Sequence, residues 1–243
     1  MHRLKKSQSL VAVSLLGAII TGISFLTPFG VKSQTQTPVQ ATSESASKSA
    51  FVSVPGGSYA IDPAHSSIGF TVRHLMLNNV RGRFTDFAGT IIHDDKDITK
   101  SSVEFTAKVA SINTDVARRD EHLRAADFFD AAKYPELTFK SKRVERRNKN
   151  SYVAIGDFTL RGVTKEIALP FTLNGALKEA RGGGYRIGVE AATVINRQDY
   201  GVSWSRALDG GGLSVANDVN VELMLEAVMR APEKPGTAPG SSR

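Results

Sequence analysis

Apolar and polar side chains alternate along most of this chain, and the alternation restricts what it can fold into. Between Tyr59 and His74, residues Ile68, Phe70 and Val72 fall on one side of a predicted strand. A strand with one apolar face has to cover that face with the apolar face of another element. The chain therefore predicts a sheet around an apolar interior, and the most regular strand supports this with Val219, Val221, Leu223, Leu225 and Ala227 on one side.

About eight such strands are predicted, joined mostly by short turns, which indicates an all-β fold in antiparallel up-and-down order. Their apolar faces can meet in a closed barrel or in a sandwich. The barrel is favoured because closure removes exposed strand edges. Pro170 is an objection, since proline cannot donate to a ladder and fits best at a bulge or bend. An eight-stranded barrel is either filled or holds one small ligand, and the pattern leaves both open.

One segment departs from strand periodicity. Asn113 to Ala132 is rich in Ala, Arg and Glu, and Thr114 or Asp115 can cap a helix. The pair Phe128 and Phe129 follows near its end. We expect a short helical insertion that plugs or gates one end of the barrel.

The two ends of the chain predict export and flexible tethers. In residues 1–33, a basic start precedes the apolar run from Leu10 to Leu26, the order of a cleaved secretory signal. An uncleaved membrane anchor is the alternative, because the run is at the lower limit for spanning a bilayer. Residues 34–57 read as a Ser/Thr/Gln/Pro-rich linker, 58–229 as one barrel domain and 230–243 as a disordered tail. This organisation predicts a periplasmic or secreted protein.

Composition excludes several classes of protein. The chain has no cysteine, and therefore no disulfide and no thiolate metal site. The net charge of +7 comes mainly from the chain ends, because residues 58–229 carry 23 basic and 22 acidic side chains. A nucleic-acid-binding domain would concentrate positive charge, so we exclude that function. The basic stretch from Lys140 to Lys149 is either a solvated turn or a patch for transient contact with anionic lipid headgroups.

A polar cluster is the one candidate for chemistry. Metal and acid–base sites use these residue types, but the spacings match no zinc signature. We therefore expect structural hydrogen bonds, with no catalytic residue, no metal and no enzymatic activity. A metal-assisted enzyme that uses His65, His74 and His122 is the alternative. The predicted cluster consists of Asp62, His65, His74, Arg119, Asp120 and His122.

Several motifs in one order resemble the YceI family across residues 58–229. Beside the stretch from Tyr59 to His74, they are V-R-G-R-F (80–84), R-D-E-H-L-R-A-A-D-F-F-D (119–130), Y-P-E-L-T-F-K-S (134–141), G-D-F-T-L-R-G-V-T-K (156–165) and I-N-R-Q-D-Y-G-V (195–202).

The resemblance implies a lipocalin-like antiparallel barrel, exported to the periplasm, that holds a polyisoprenoid chain or isoprenoid quinone inside. It implies a barrel rather than a sandwich, a cavity rather than a filled core, and no cofactor besides the lipid. A homodimer is compatible with it. The expected function is carriage or sequestration of the lipid across an aqueous compartment, with a stress-related interaction module of packed core as the alternative. The predicted lining is Phe70, Val72, Phe105, Phe128, Phe129, Phe139, Phe158, Phe171, Ile187, Val189, Leu223 and Leu225.

Overall fold

The computed structural model describes residues 53–179, 184–207 and 213–230. The predicted signal (1–33), most of the predicted linker (34–57) and nearly all of the predicted tail (230–243) lie outside these residues, so the domain boundaries stay predictions. The described residues form eleven strands and one α-helix. In chain order these are β1 (Gly57–Ile61), β2 (Ser67–His74), β3 (Asn78–Phe84), β4 (Phe87–His93), β5 (Ser102–Lys108), β6 (Ile112–Asn113), α1 (Ala117–Arg124), β7 (Glu136–Arg146), β8 (Ser151–Leu160), β9 (Val163–Lys178), β10 (Tyr185–Asn196) and β11 (Val215–Met229).

Eight of the strands close into an antiparallel barrel. Around the ring the order is β1, β4, β5, β7, β8, β9, β10 and β11, and β11 pairs back onto β1 with Tyr59 opposite Met229. Neighbours in the ring follow one another in the chain, apart from β2, β3 and β6. The prediction of an all-β, up-and-down antiparallel barrel with one short helix is therefore confirmed.

Strands β2, β3 and β6 extend the wall below β1 and β4. The edge of β11 carries first β1 and then β2, with a 3-10 turn at Pro63–His65 between them. Likewise β3 and β4 follow one another along the same part of the barrel wall, with a break at Thr85 and Asp86 between them. We call the half with β1 and β4 the upper half and the half with β2, β3 and β6 the lower half.

The interruption divides the extended segment between Asn78 and His93 into two strands. At the break, the Thr85 N–H donates to the carbonyl of Ser111 at 3.2 Å, outside the strand ladder. The Thr85 hydroxyl donates to the same carbonyl at 3.1 Å. These bonds join the break between β3 and β4 to the turn between β5 and β6, where the upper and lower halves meet.

The predicted helix over Asn113 to Ala132 is wrong in extent, because α1 has only eight residues. Its N-cap is Val116, without a side-chain cap, so neither Thr114 nor Asp115 caps it. Instead the N–H and the hydroxyl of Thr114 both donate to the Asp120 carboxylate. The hydroxyl that was expected to cap the helix is therefore bonded to a side chain. Beyond α1 the chain continues in turns to Asp130, whose φ of 52° ends helical geometry.

Pro170 does not disturb the barrel. It lies in β9 opposite Val153 of β8, whereas the pairing of β9 with β10 begins one residue later, with Phe171 opposite Ala191. Proline therefore stands where β9 separates from β10, a position at which the ladder is interrupted on one side.

Candidate ligand-binding lumen

The barrel interior contains two apolar chambers that share Phe105. The volume open to the centre of a water-sized sphere is about 50 Å³ in the upper chamber and about 130 Å³ in the lower one. About 10–15 Å³ on this measure holds one water, so both chambers are real spaces in the core. Phe105 stands at the junction of the chambers, and its ring stacks on Phe139 with 5.8 Å between centroids.

The upper chamber is lined by alternate residues of the long strands. Their side chains point inward because successive residues of a strand face opposite sides of the wall. Of the predicted lining residues, this chamber contains Phe171, Ile187, Val189, Leu223 and Leu225. It also contains the side chains of Ile91, Ile98, Val103, Val144, Ala154, Leu169, Leu173 and Ala191.

The lower chamber is lined by Phe70, Val72, Phe128, Phe129 and Phe158 among the predicted residues. The prediction missed Val219 and Val221, although they belong to the same alternation as Leu223. It also missed Phe84, Leu123, Leu137, Leu160, Ile195, Val202 and Val215.

Phe139 is the predicted lining residue that does not border a chamber. Its side chain is 1% exposed, and the ring stacks on Phe105. Small inward residues maintain the space elsewhere. Gly82, for example, lies opposite Phe70, and a Cβ on it would lie 2.3 Å from the Phe70 ring. The absence of a side chain at Gly82 therefore gives that ring its place.

Beyond β6 and before β7, the chain contributes Phe128 to the lower chamber, and this ring belongs to an aromatic cluster. No strand ladder joins these two strands in the part of the chain that the structure describes. The rings of His122, Phe128 and Trp204 contact one another, with centroids 4.9 to 5.3 Å apart. His122 is also hydrogen-bonded to Asp127, at 2.6 Å. Side chains, rather than a strand, therefore form the wall here.

Arg197 anchors the loop that carries Trp204. The side chain is 5% exposed, and burial lowers the pKa of its guanidinium. Its nitrogens donate to the carbonyls of Val202 (2.6 Å), Trp204 (2.9 Å), Val215 (3.1 Å) and Ala216 (2.9 Å), and to the side-chain oxygen of Asn217 (3.4 Å). All five donors of the guanidinium thus have acceptors.

Arg161 makes a second connection of this kind. It donates to the carbonyls of Gly201 at 2.7 Å and Ala126 at 2.8 Å. Together the two arginines bind the Trp204 loop to β11 and to the segment after α1. Both lie within the family-like motifs, in G-D-F-T-L-R and I-N-R-Q-D-Y, but a single arginine in a motif gave no sign of the distant carbonyls that it binds.

The predicted polar cluster does not assemble, which corrects that prediction. Asp62 and His65 lie at the turn between β1 and β2, whereas His74 is exposed at the end of β2. The remaining residues belong to the helical segment. There Arg119 donates to Thr114, Asp120 accepts from Thr114, and His122 bonds Asp127. The three histidines therefore lie in separate places, and no acid–base or metal site joins them.

Asp62 takes part in an ion-pair network instead. Nη1 of Arg186 donates to Asp62 at 2.7 Å and to Glu226 at 2.9 Å, and Asp62 also bonds His65 at 2.9 Å. The bond from Arg186 is the main reason why the pKa of Asp62 falls to about 2, and the bond from His65 adds to it. Asp62, His65 and Glu226 bring their ligand atoms within 4.8 Å of one another. Arg186 already supplies the positive charge that these carboxylates attract, so the group suits an ion pair better than a metal.

The described residues contain no helix with the length and apolar character needed to cross a membrane.

Comparison with known proteins agrees with this architecture. A family model described as a YceI-like domain matches residues 59–227. A UPF0312 protein of Staphylococcus aureus strain N315 is 34% identical over 168 residues, which are 69% of this chain and 95% of the relative.

Solved structures show the same fold. The crystal structure of the Campylobacter jejuni YCEI protein is 32% identical, with a TM-score of 0.57, over 70% of this chain and 96% of that one. A polyisoprenoid binding domain from Saccharophagus degradans, implicated in plant cell wall breakdown, has a TM-score of 0.54 at 17% identity, over 71% of this chain and 98% of that one. The matched family model covers nearly the whole barrel, and the chain therefore belongs to the YceI family.

Proposed function

We propose that this protein binds a polyisoprenoid lipid, such as an isoprenoid quinone, in the barrel lumen and carries or sequesters it across an aqueous envelope compartment. The observation that carries the proposal is a closed barrel whose two chambers are lined almost wholly by aliphatic and aromatic side chains. The polyisoprenoid binding named for the Saccharophagus degradans domain supports the same ligand class.

The chemistry of the lining favours a hydrocarbon chain over a polar ligand. Arg197 is the charged residue of the lower lining, and its donors are all occupied by protein oxygens. In the upper chamber the polar contribution comes from His93, Ser101 and Ser102 at one end. Hydrocarbon that leaves water gains about 25 cal/mol per Å² of buried surface, whereas a polar ligand would lose hydrogen bonds here.

The shared position of Phe105 sets how a long chain is held. A ligand longer than one chamber has to pass Phe105, the residue that lines both chambers. The proposed function needs no catalytic residue, no metal and no cofactor besides the lipid. It also includes export by a cleaved N-terminal signal, to the periplasm or outside the cell. Pairing of two barrels is compatible with it.

The test is the lipid content of the full chain after expression in a bacterium with an envelope. Native mass spectrometry and solvent extraction should find about one isoprenoid lipid per barrel. Ala191→Phe should reduce this occupancy, because Ala191 is buried in the upper lining. Ala192→Phe is the matched control, since the neighbouring Ala192 is exposed on the outer face.

Protein that is reproducibly free of lipid and refuses added quinone and polyprenol would sink the proposal. Equal loss of lipid in the two variants would also contradict it. Overpacking costs about 1–3 kcal/mol, so melting temperatures of both variants separate loss of binding from loss of the fold.

A further inference from the structure

The tip of the β2–β3 hairpin exposes three consecutive apolar side chains. Leu75, Met76 and Leu77, which we call the hairpin tip, are 37%, 42% and 80% exposed. Isolated exposed apolar residues are ordinary, but a contiguous group at the tip of a hairpin indicates a contact surface.

The backbone conformation of the hairpin tip is strained for large apolar residues. The Leu77 N–H donates to the His74 carbonyl at 3.0 Å, and the two central residues have φ of 51° (Leu75) and 57° (Met76). This is the geometry of a type I′ turn, for which Asn-Gly is strongly preferred because bulky residues are strained at positive φ. Strain of this kind is characteristic of functional positions. The tip therefore keeps large apolar side chains where folding alone would favour small polar ones.

Basic side chains stand directly behind the hairpin tip. Arg73 follows the lumen-facing Val72 in β2. In β3, Arg83 precedes the lumen-facing Phe84 and Arg81 shares the face of Arg83, so all three arginines lie on the outer face of the hairpin. Arg83 pairs with Asp115 at 3.2 Å. Within the described residues, the ion pairs do not include Arg73 or Arg81, and both are exposed. Positive charge is therefore available beside the apolar tip.

The β7–β8 hairpin, where the sequence placed a basic patch, is different. Lys140 pairs with Glu104 at 2.6 Å and Lys142 with Asp157 at 2.6 Å. Two further arginines, Arg143 and Arg147, lie within 3.6 Å of the Glu145 carboxylate. Much of the positive charge of this stretch is compensated within the protein, so the β2–β3 hairpin is the better candidate for binding anionic headgroups.

We propose that the hairpin tip docks on the surface of an anionic lipid bilayer. Leu75, Met76 and Leu77 enter the boundary between headgroups and acyl chains, while Arg73 and Arg81 bind the anionic headgroups. The same hairpin lines the lower chamber with Phe70 and Val72, so docking brings that chamber to the bilayer. The inference of docking depends only on the features of the hairpin, whereas a role of docking in ligand exchange rests on the proposed function.

A depth-sensitive probe tests this in the full chain. Because the chain has no cysteine, Asn78→Cys can carry a single environment-sensitive fluorophore beside an intact hairpin tip. Asn148→Cys, on the β7–β8 turn, is the matched control. Bulk vesicle binding does not discriminate, because the apolar run from Leu10 to Leu26 can itself bind lipid. Quenching by brominated lipids in phosphatidylglycerol-containing vesicles should be strong at position 78 and weak at position 148.

Three further variants separate the contributions to docking. Leu77→Ser should reduce quenching at position 78 without a change in melting temperature, because Leu77 is mostly exposed. Arg73→Gln and Arg81→Gln should each raise the lipid concentration for half-maximal quenching about five-fold, as expected for one basic residue near an anionic surface.

Equal quenching at both labelled positions would overturn the proposal, and so would equal quenching in purely phosphatidylcholine vesicles. A fluorophore response to protein concentration without vesicles would assign the hairpin tip to a second copy instead. Docking by a protein that proves free of lipid would retain this inference and remove the proposed function.

Discussion

Replacement of Arg197 by lysine tests whether the Trp204 loop is held by the guanidinium. Lysine has three donors where arginine has five, so at least two of the bonded oxygens lose their partner. Hydrogen bonds to a charged group contribute about 1.5–3 kcal/mol each, so the loss is at least ~3 kcal/mol. For a domain of this size, that lowers the melting temperature by roughly 6–12 °C.

The chain reports the loop directly, because it contains a single tryptophan. Urea titration followed by Trp204 emission and by far-UV circular dichroism should give coincident transitions in the parent protein. In Arg197→Lys, we expect the emission to change at lower urea than the dichroism, because the loop separates before the barrel unfolds. Arg186→Lys is the control, since it retains a partly exposed charge among carboxylates and should cost less than about 1 kcal/mol. An unchanged midpoint with coincident transitions in Arg197→Lys would refute the anchoring role.

Three other outcomes are expected. Gly156→Ala should destabilise the protein by about 2–3 kcal/mol in urea unfolding, because its Cβ would lie 2.2 Å from the carbonyl oxygen of Lys140; a neutral effect would contradict the close approach of β7 and β8. The pKa of Asp62, about 2 instead of 3.8, means that its contribution to stability is complete above about pH 4 and lost as the pH falls through 2. Asp62→Asn should therefore flatten the loss of unfolding free energy between pH 4 and 2, and an unchanged slope would show that the ion pair is unimportant. Replacing Phe128 and Phe129 together by serine should lower the free-energy barrier to lipid dissociation by up to a few kcal/mol, while the far-UV dichroism keeps the β-sheet signature of the barrel. A lower melting temperature with an unchanged lipid off-rate would instead show that the two rings only anchor the structure.

The alternation of side chains predicted the barrel because it is a local property that each strand carries independently. Leu223 and Leu225 line the lumen as predicted, and Val219 and Val221, which the predicted lining omitted, follow the same alternation in β11. The break between β3 and β4 was not predictable, because it depends on bonds from Thr85 to Ser111 of a distant turn. Local pattern thus specified which face is inside, and tertiary bonds specified where the wall is interrupted.

The positions of the histidines also depend on tertiary structure that the sequence pattern does not contain. His65 and His74 are close in the chain, yet the strand between them carries His74 to the far end of β2. The partner of Asp62 is Arg186, 124 residues away, and no periodicity connects the two. Only the closure of the barrel, which sets β1, β10 and β11 side by side, brings that ion pair together.

Different interactions hold the barrel wall together in the upper ring and at the gap between β6 and β7. The upper ring is continuous in backbone hydrogen bonds, whereas at this gap the lower half is closed by packed side chains such as Phe128 and Trp204. Separation at the gap breaks no ladder, so it requires less free energy than unfolding the ring. Amide hydrogen exchange should therefore follow two free energies: amides of α1 exchange through local opening, and central amides of β8 and β10 exchange through global unfolding alone.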